Sequence, residues 1–217
     1  MSISAIENAK ICGIKDSATA ELCAELGFGA VGFVFYERSP RNISPETAAE
    51  ICSSLPHEIA KVGVFVDRRI DEMLQIAKFS GLTSVQLHGS ESVETAMAIS
   101  SAGFRVIKAV RGISEIEMLP AGISVLMECG HGMLPGGNAA EWNWADAQKA
   151  AMFNVPLGIA GGLHARNIKQ AMRKAAADAC DISSGAESAP GTKDHNAIKN
   201  IALEVKKLPN KRRIFWR

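Results

Sequence analysis

Two side chains that end apolar runs of the chain could move protons. Cys12 ends the run Lys10-Ile-Cys12 and is followed by Gly13, and Glu128 ends the run Leu126-Met-Glu128. A cysteine thiolate can act as a general base or a nucleophile, and a carboxyl group can donate a proton. An acid and a base on opposite sides of a substrate are what a proton-shuttling isomerisation needs. Each residue alone also fits a structural interpretation, as a packed thiol and as a solvated or arginine-paired carboxylate.

Two glycine-containing segments could bind an anion. The segment 159–163 reads Ile-Ala-Gly-Gly-Leu, and the segment 181–187 reads Asp-Ile-Ser-Ser-Gly-Ala-Glu. Glycines let backbone N–H groups approach an anion closely, and the start of a following helix adds partial positive charge. Either segment alone also fits a tight turn without a ligand, but the two together favour a phosphate site.

Further polar groups follow two other apolar runs. Arg38 and Arg41 follow the second run, where a guanidinium fork could hold a carboxylate or a phosphate. In the segment Gln86-Leu-His88, strand alternation turns Gln86 and His88 to one side. At least one arginine is expected to be solvated, and a lone histidine is more often a structural hydrogen-bonding group than a catalyst.

Short runs rich in Val, Ile and Phe alternate with amphipathic stretches along the chain, which is the pattern of parallel β-α-β units. The predicted strands are Ala9–Cys12, Ala30–Phe35, Lys61–Val66, Ser84–Leu87, Arg105–Val110, Ser124–Glu128, Leu157–Ala160 and Ala179–Ser183. The predicted helices are Ser17–Leu26, Pro45–Ser54, Ile70–Phe79, Val93–Ser101, Ile113–Met118, Ala145–Met152, Ala165–Ala176 and Asn196–Lys207.

This alternation predicts an α/β protein with a single (β/α)8 TIM barrel over residues 1–208, followed by a basic C-terminal tail over residues 209–217. The alternative is an open doubly wound sheet, which is commonly built from fewer strands. In a barrel, the site lies where strands end, and the residues above all lie at such ends. The tail is expected to be solvated or docked.

Composition excludes several classes of protein. The 217 residues carry 24 basic and 23 acidic side chains, so no global positive field attracts nucleic acid. No stretch is apolar enough for a membrane span, and no secretory signal is visible. The five cysteines are odd in number, widely spaced and form no CxxC pair, which argues against a disulfide framework and against a zinc site. A cytoplasmic protein is expected, either a monomer or a homodimer.

Taken together, the motifs resemble the phosphoribosylanthranilate isomerase family of tryptophan biosynthesis. The matching segments are 10–13 (Lys-Ile-Cys-Gly), 32–35 (Gly-Phe-Val-Phe), 39–41 (Ser-Pro-Arg), 62–66 (Val-Gly-Val-Phe-Val), 86–89 (Gln-Leu-His-Gly), 135–138 (Pro-Gly-Gly-Asn) with Trp144, 160–163 (Ala-Gly-Gly-Leu), 181–187 and 191–194 (Gly-Thr-Lys-Asp). Each is weak alone, but the ordered set is specific and runs nearly the whole chain.

The resemblance implies an Amadori rearrangement of N-(5'-phosphoribosyl)anthranilate, a small-molecule substrate, to 1-(2-carboxyphenylamino)-1-deoxyribulose 5-phosphate, without metal or cofactor. It implies that Cys12 is the general base and that Glu128 stands where the family has an aspartate general acid. The implied substrate-binding residues are Arg41, His88 and Asp181, and the implied phosphate-binding residues are Gly161, Gly162, Ser184 and Gly185.

The chain departs from the family pattern around the sixth strand. Besides Glu128, Ala139 replaces a glycine and Asn143 replaces an aspartate. A glutamate has the chemistry of an aspartate but an extra methylene, which could misplace the proton by about 1 Å. Two alternatives therefore stay open: a diverged barrel isomerase of a related sugar phosphate, and a non-catalytic binder of such a compound.

Overall fold

Eight parallel strands form a closed barrel. The structure, a computed structural model, describes residues 6–128, 142–209 and 214–215. The strands pair in sequence order, and β1 pairs with β8 to close the barrel. The strands are β1 (Ile6–Cys12), β2 (Phe28–Phe35), β3 (Ala60–Phe65), β4 (Ser84–Leu87), β5 (Arg105–Val110), β6 (Ser124–Met127), β7 (Leu157–Ile159) and β8 (Ala179–Ile182).

Helices surround this barrel. They are α1 (Ser17–Leu26), α2 (Pro45–Ser54), α3 (Ile70–Phe79), α4 (Val93–Ser101), α5 (Ile113–Ile116), a 3-10 helix (Trp144–Phe153), α6 (Ile168–Ala175) and α7 (His195–Val205). Side chains of Asp16, Ser44, Ser92 and Asp194 accept hydrogen bonds from first-turn N–H groups of α1, α2, α4 and α7. Within the described ranges, no helix is long and apolar enough to cross a bilayer.

The predicted barrel is confirmed, and the first four helices have the predicted bounds. The helix predicted over Ala145–Met152 is instead a 3-10 helix. Its buried residues Trp144, Ala147 and Ala150 recur every third position, which suits the three-residue turn of a 3-10 helix. A hairpin of β9 (Glu187–Ala189) and β10 (Thr192–Lys193), which was not predicted, follows β8.

Several alanines and a few larger apolar side chains of the barrel strands form a buried cluster, and two residues near the C-terminus complete it. Ile214 and Phe215 are both fully buried, in a cluster with Ala30, Ala60, Val62, Ile107, Leu126, Ala160 and Ala179. Their carbonyl oxygens accept hydrogen bonds from Arg105 Nε (2.8 Å) and Ser84 Oγ (2.7 Å). Of the predicted tail, residues 210–213 and 216–217 lie outside the described residues.

Replacement of Phe215 by alanine is expected to destabilise the barrel. The fully buried ring lies with its centroid 5.7 Å from Lys10 Nζ, so its loss opens a cavity beneath that charge. A buried Phe→Ala change costs about 3–5 kcal/mol, and we expect a melting temperature roughly 10 °C lower for a chain of this size. Phe79→Ala is the control, because Phe79 is 60% exposed on α3. Equal melting temperatures for the two variants would contradict the docked position of Phe215.

Candidate active site

One pocket at the carboxyl-terminal ends of the strands collects nearly all of the predicted site residues. It is lined by Cys12, Arg41, His88, Glu128, Gly161, Gly162, Asp181 and Ser184, among others. These residues lie on strands or on the segments that follow them, far apart in sequence. Closure of the barrel therefore brings the two possible proton-transfer groups, the arginine and both glycine segments to one site.

Cys12, the last residue of β1, is 7% exposed. Burial raises the pKa of its thiol above the ordinary range. The Lys10 ammonium lowers that pKa, the Asp181 carboxylate raises it, and Lys193 and Arg41 lower it by smaller amounts, without cancelling the effect of burial. Burial thus opposes ionisation of the thiol, whereas the neighbouring Lys10 ammonium favours the thiolate, which would be a strong base.

Glu128 follows β6 and is 6% exposed, so it is not a solvated carboxylate. Its Oε1 lies 2.9 Å from Nε2 of His88, the residue that follows β4. His88 Nδ1 in turn lies 2.8 Å from Nε2 of Gln86, and the two side chains lie on the same side of the strand, as strand alternation predicted. An imidazole thus orients the carboxyl group at the edge of the pocket.

Lys10, which the sequence interpretation passed over, is a buried charged side chain beside Cys12 and Asp181. It is fully buried inside the barrel and donates hydrogen bonds to Asp181 Oδ2 (2.7 Å) and to Gln86 Oε1. Burial lowers the pKa of its ammonium, but the charges of Asp181 and Cys12 outweigh burial, and the pKa is raised. The sequence does contain a signal for this position. Lys10 and Cys12 are two residues apart on a buried strand, so their side chains lie on the same side of it.

Arg41 forms a buried ion pair with Glu187, which the sequence analysis did not predict. Its Nε and Nη2 donate to Oε1 and Oε2 of Glu187, both at 2.7 Å, and Lys193 Nζ donates to Oε1 at 2.8 Å. Burial raises the pKa of Glu187, but its hydrogen bonds to Arg41 and Lys193 outweigh burial, and the pKa is lowered. The hairpin after β8 thereby fixes the arginine that follows β2. Arg38, the other candidate, is exposed.

The two glycine segments meet above β7 and β8. Gly161 and Gly162 have positive φ angles of 87° and 65°, a conformation that favours glycine. A Cβ atom on Gly185 would lie 1.9 Å from the carbonyl oxygen of Leu163. Gly185 itself does not line the pocket but permits this close approach, while Ser184 beside it does line the pocket. The pair of loops has the form of an anion site.

Gly185→Ala is expected to force the two loops apart. Overpacking of this kind costs about 1–3 kcal/mol, so we expect a lower melting temperature together with weaker binding of inorganic phosphate in calorimetry. Gly112→Ala is the matched control, because the nearest atom to its Cβ would be Ser114 Oγ at 3.9 Å. Unchanged stability and phosphate binding in Gly185→Ala would show that close contact of the loops is not needed.

Part of the predicted site lies outside the described residues. The segment 129–141, which includes Ala139, is not described, whereas Asn143 immediately precedes the 3-10 helix. Within residues 6–128, 142–209 and 214–215, no cluster of His, Cys, Asp and Glu has the arrangement of a metal site.

Comparison with known proteins gives one consistent family. The family model described as N-(5'-phosphoribosyl)anthranilate isomerase matches residues 9–203. An N-(5'-phosphoribosyl)anthranilate isomerase of Desulfatibacillum aliphaticivorans is 42% identical over 88% of this chain and 89% of its own.

Solved structures agree with this result. The phosphoribosylanthranilate isomerase of Thermotoga maritima is 34% identical, with a TM-score of 0.85 over 93% of this chain and 99% of its own. A phosphoribosylanthranilate isomerase in complex with reduced 1-(o-carboxyphenylamino)-1-deoxyribulose 5-phosphate is 33% identical, with a TM-score of 0.80 and the same coverage of both chains.

Proposed function

The chain belongs to the N-(5'-phosphoribosyl)anthranilate isomerase family, and from this premise we propose how its own residues carry out the isomerisation. The substrate is N-(5'-phosphoribosyl)anthranilate, and the product is 1-(2-carboxyphenylamino)-1-deoxyribulose 5-phosphate. In this proposal Cys12 is the general base and Glu128 is the general acid. The observation that carries the proposal is that both line one pocket with Arg41 and both glycine loops.

The reaction begins with the acid. Glu128 gives its proton to the furanose ring oxygen as the ring opens, which leaves a Schiff base between C1' and the anthranilate nitrogen. The Cys12 thiolate then removes the proton from C2'. Removal of that proton gives an enolamine. The Cys12 thiol then returns the proton to C1', and the 2'-hydroxyl proton passes to the Glu128 carboxylate, which gives the ketose derivative and restores both groups with no change in the overall oxidation state. Stabilisation of a thiolate by the nearby Lys10 supports the assignment of Cys12.

Two side chains anchor the organic part of the substrate. Arg41 uses two of its five N–H donors on Glu187, and the others are assigned in this proposal to the anthranilate carboxylate. Asp181 has Oδ2 on Lys10, while its buried Oδ1 has no hydrogen-bond partner within the described part of the chain. A buried acceptor without a partner is costly, which supports a sugar hydroxyl as its ligand. His88 is proposed to lie beside the substrate, because it contacts the proposed acid Glu128.

The phosphate is proposed to bind between the two glycine segments, to Gly161, Gly162 and Ser184, which line the pocket, and to the backbone N–H of Gly185 beside them. Binding of phosphate after strands seven and eight is a recurrent use of this barrel. The close packing of Gly185 on Leu163 supports it, because the two loops are then held as one rigid unit.

Turnover of freshly generated N-(5'-phosphoribosyl)anthranilate tests the proposal. Loss of the anthranilate-type fluorescence follows the reaction, and the wild type is expected to accelerate it well above the spontaneous rate. Absence of turnover, with phosphate-competitive binding retained, would favour the diverged isomerase or the non-catalytic binder instead.

We also infer that the protein acts in a reducing compartment such as the cytoplasm. The thiols of Cys12, Cys23, Cys52 and Cys180 are free, which supports this inference. Assembly as a monomer or a homodimer remains a prediction.

A further inference from the structure

A chain of buried hydrogen bonds crosses the barrel interior and ends at the proposed acid. Lys10 Nζ contacts Gln86 Oε1 at 2.5 Å, Gln86 Nε2 contacts His88 Nδ1 at 2.8 Å, and His88 Nε2 contacts Glu128 Oε1 at 2.9 Å. None of these residues is more than 8% exposed. Water therefore cannot readily replace any of the contacts, and each group depends on its neighbour.

The chemistry of the groups determines the direction of every bond in this chain. An ammonium group only donates, so the atom of Gln86 that faces Lys10 is the carbonyl oxygen. The amide nitrogen of Gln86 then faces His88, and an amide NH2 group also only donates. His88 Nδ1 must accept, so the ring proton of the neutral imidazole is on Nε2, where it is donated to Glu128 Oε1.

We propose that Gln86 is a positioning residue, which holds His88 as the neutral Nε2–H tautomer so that His88 orients Glu128 for proton donation. Oε1 of Glu128 accepts from the imidazole, and Oε2 is left to carry the proton for the substrate. Lys10 fixes the orientation of the Gln86 amide, and Asp181 fixes Lys10 through its 2.7 Å contact. This inference rests on the proposed function, because it assigns Glu128 the role of acid.

The same arrangement prevents an unproductive state of the site. With Nδ1 occupied by an amide donor, His88 cannot accept a second proton without losing its contact with Gln86. An imidazolium beside Glu128 would hold the carboxyl group as a carboxylate, which has no proton to donate. Gln86 thus holds the histidine in the form that donates from Nε2 to Glu128 Oε1.

The tautomer can be observed directly, in a measurement that does not depend on turnover. Histidine labelled with ¹⁵N in the ring is incorporated into the full chain, and a long-range ¹H–¹⁵N correlation spectrum identifies the protonated nitrogen. A His88→Asn variant assigns the signal. We expect the pattern of a neutral Nε2–H ring at neutral pH. A neutral Nδ1–H ring or an imidazolium in the wild type would overturn the inference.

Gln86→Glu tests the positioning role, because it replaces the amide donor that faces His88 Nδ1 with a carboxylate oxygen, which accepts. The new carboxylate still pairs with Lys10, but it can only accept from Nδ1, so we expect an imidazolium pattern in the spectrum. We expect kcat to fall about a hundredfold, with KM changed by less than about threefold, because the acid is misoriented while the substrate anchors remain. Gln75→Glu makes the same change at an exposed position of α3 and is the control.

The outcomes separate this inference from the proposed function. A wild type with the expected tautomer but no turnover would contradict the assignment of the activity and leave the hydrogen-bond chain intact. Turnover by the wild type together with an unchanged imidazole signal or an unchanged kcat in Gln86→Glu would overturn only the role of Gln86. Should Gln86→Glu fail to fold, the wild-type spectrum still decides between the tautomers.

Discussion

Replacement of Cys12 by serine is expected to lower kcat by about 10²–10⁴-fold, the usual contribution of a general base. A serine hydroxyl is a far weaker acid than a thiol, so the corresponding base is scarcely formed at neutral pH. Because Cys12 is at the end of β1 and contacts the pocket, the exchange of sulfur for oxygen should leave the melting temperature nearly unchanged. KM should change little, since the proposed anchors are Arg41, Asp181 and the glycine loops. Steady-state kinetics with fresh substrate and a thermal melt measure both quantities.

Cys52→Ser is the matched control for this substitution. Cys52 is buried on α2, away from the pocket, and burial raises the pKa of its thiol to about 12. The same atomic change there places a hydroxyl in the apolar core, so it should lower stability and leave kcat unchanged. Turnover by Cys12→Ser at the wild-type rate would remove Cys12 from the mechanism.

The barrel could be predicted because each of its units is signalled locally. Strands such as β2 are apolar on both faces, as expected for a parallel sheet covered by helices. Helix starts are marked by capping residues, for example Ser44 before Pro45. These signals depend only on residues that are neighbours in the sequence. The number of β-α units, eight, then indicates a closed barrel.

The ion pairs of the site could not be predicted in the same way. Lys10 and Asp181 are 171 positions apart and meet only because β1 pairs with β8 in a register that sets these two residues opposite each other. Arg41 and Glu187 are 146 positions apart, and their pairing depends on a hairpin that the sequence pattern did not indicate. Positions at strand ends show which residues converge, but partners are chosen by register and by loop geometry.

The docked C-terminal residues illustrate a third case. The segment that ends in Arg-Arg-Ile-Phe-Trp-Arg is basic and aromatic, which fits a solvated tail as well as a docked one. The deciding feature is the space inside the barrel, since Ala30, Ala60 and Ala179 leave room for Ile214 and Phe215. The volume left by small side chains from several strands is a property of the closed barrel and has no local signal.

Glu128→Gln is expected to lower kcat by about 10²–10⁴-fold, because it removes the proton and little else. The amide has nearly the shape of the carboxyl group, and its oxygen can still accept from His88 Nε2, which lies 2.9 Å from Oε1 in the wild type. Packing and orientation are therefore retained, and the loss of rate measures proton donation to the ring oxygen. Glu128→Ala should be at least as slow, because it also leaves the imidazole without its acceptor. Steady-state kinetics of each variant with fresh substrate measures these losses.

Two further variants test whether Glu128 is the general acid. Glu128→Asp keeps a carboxyl group as the proton donor, in the form that the family resemblance implies, and is expected to keep or raise the rate. Glu115→Gln removes an exposed carboxylate after β5 and should leave kcat unchanged. If Glu128→Ala is as fast as the wild type, ring opening is either spontaneous or catalysed by another group. If only Glu128→Gln and Glu128→Ala are slow, a glutamate serves as the acid at the position where the resemblance implies an aspartate. The hydrogen bond from His88 then accounts for how the longer side chain is held.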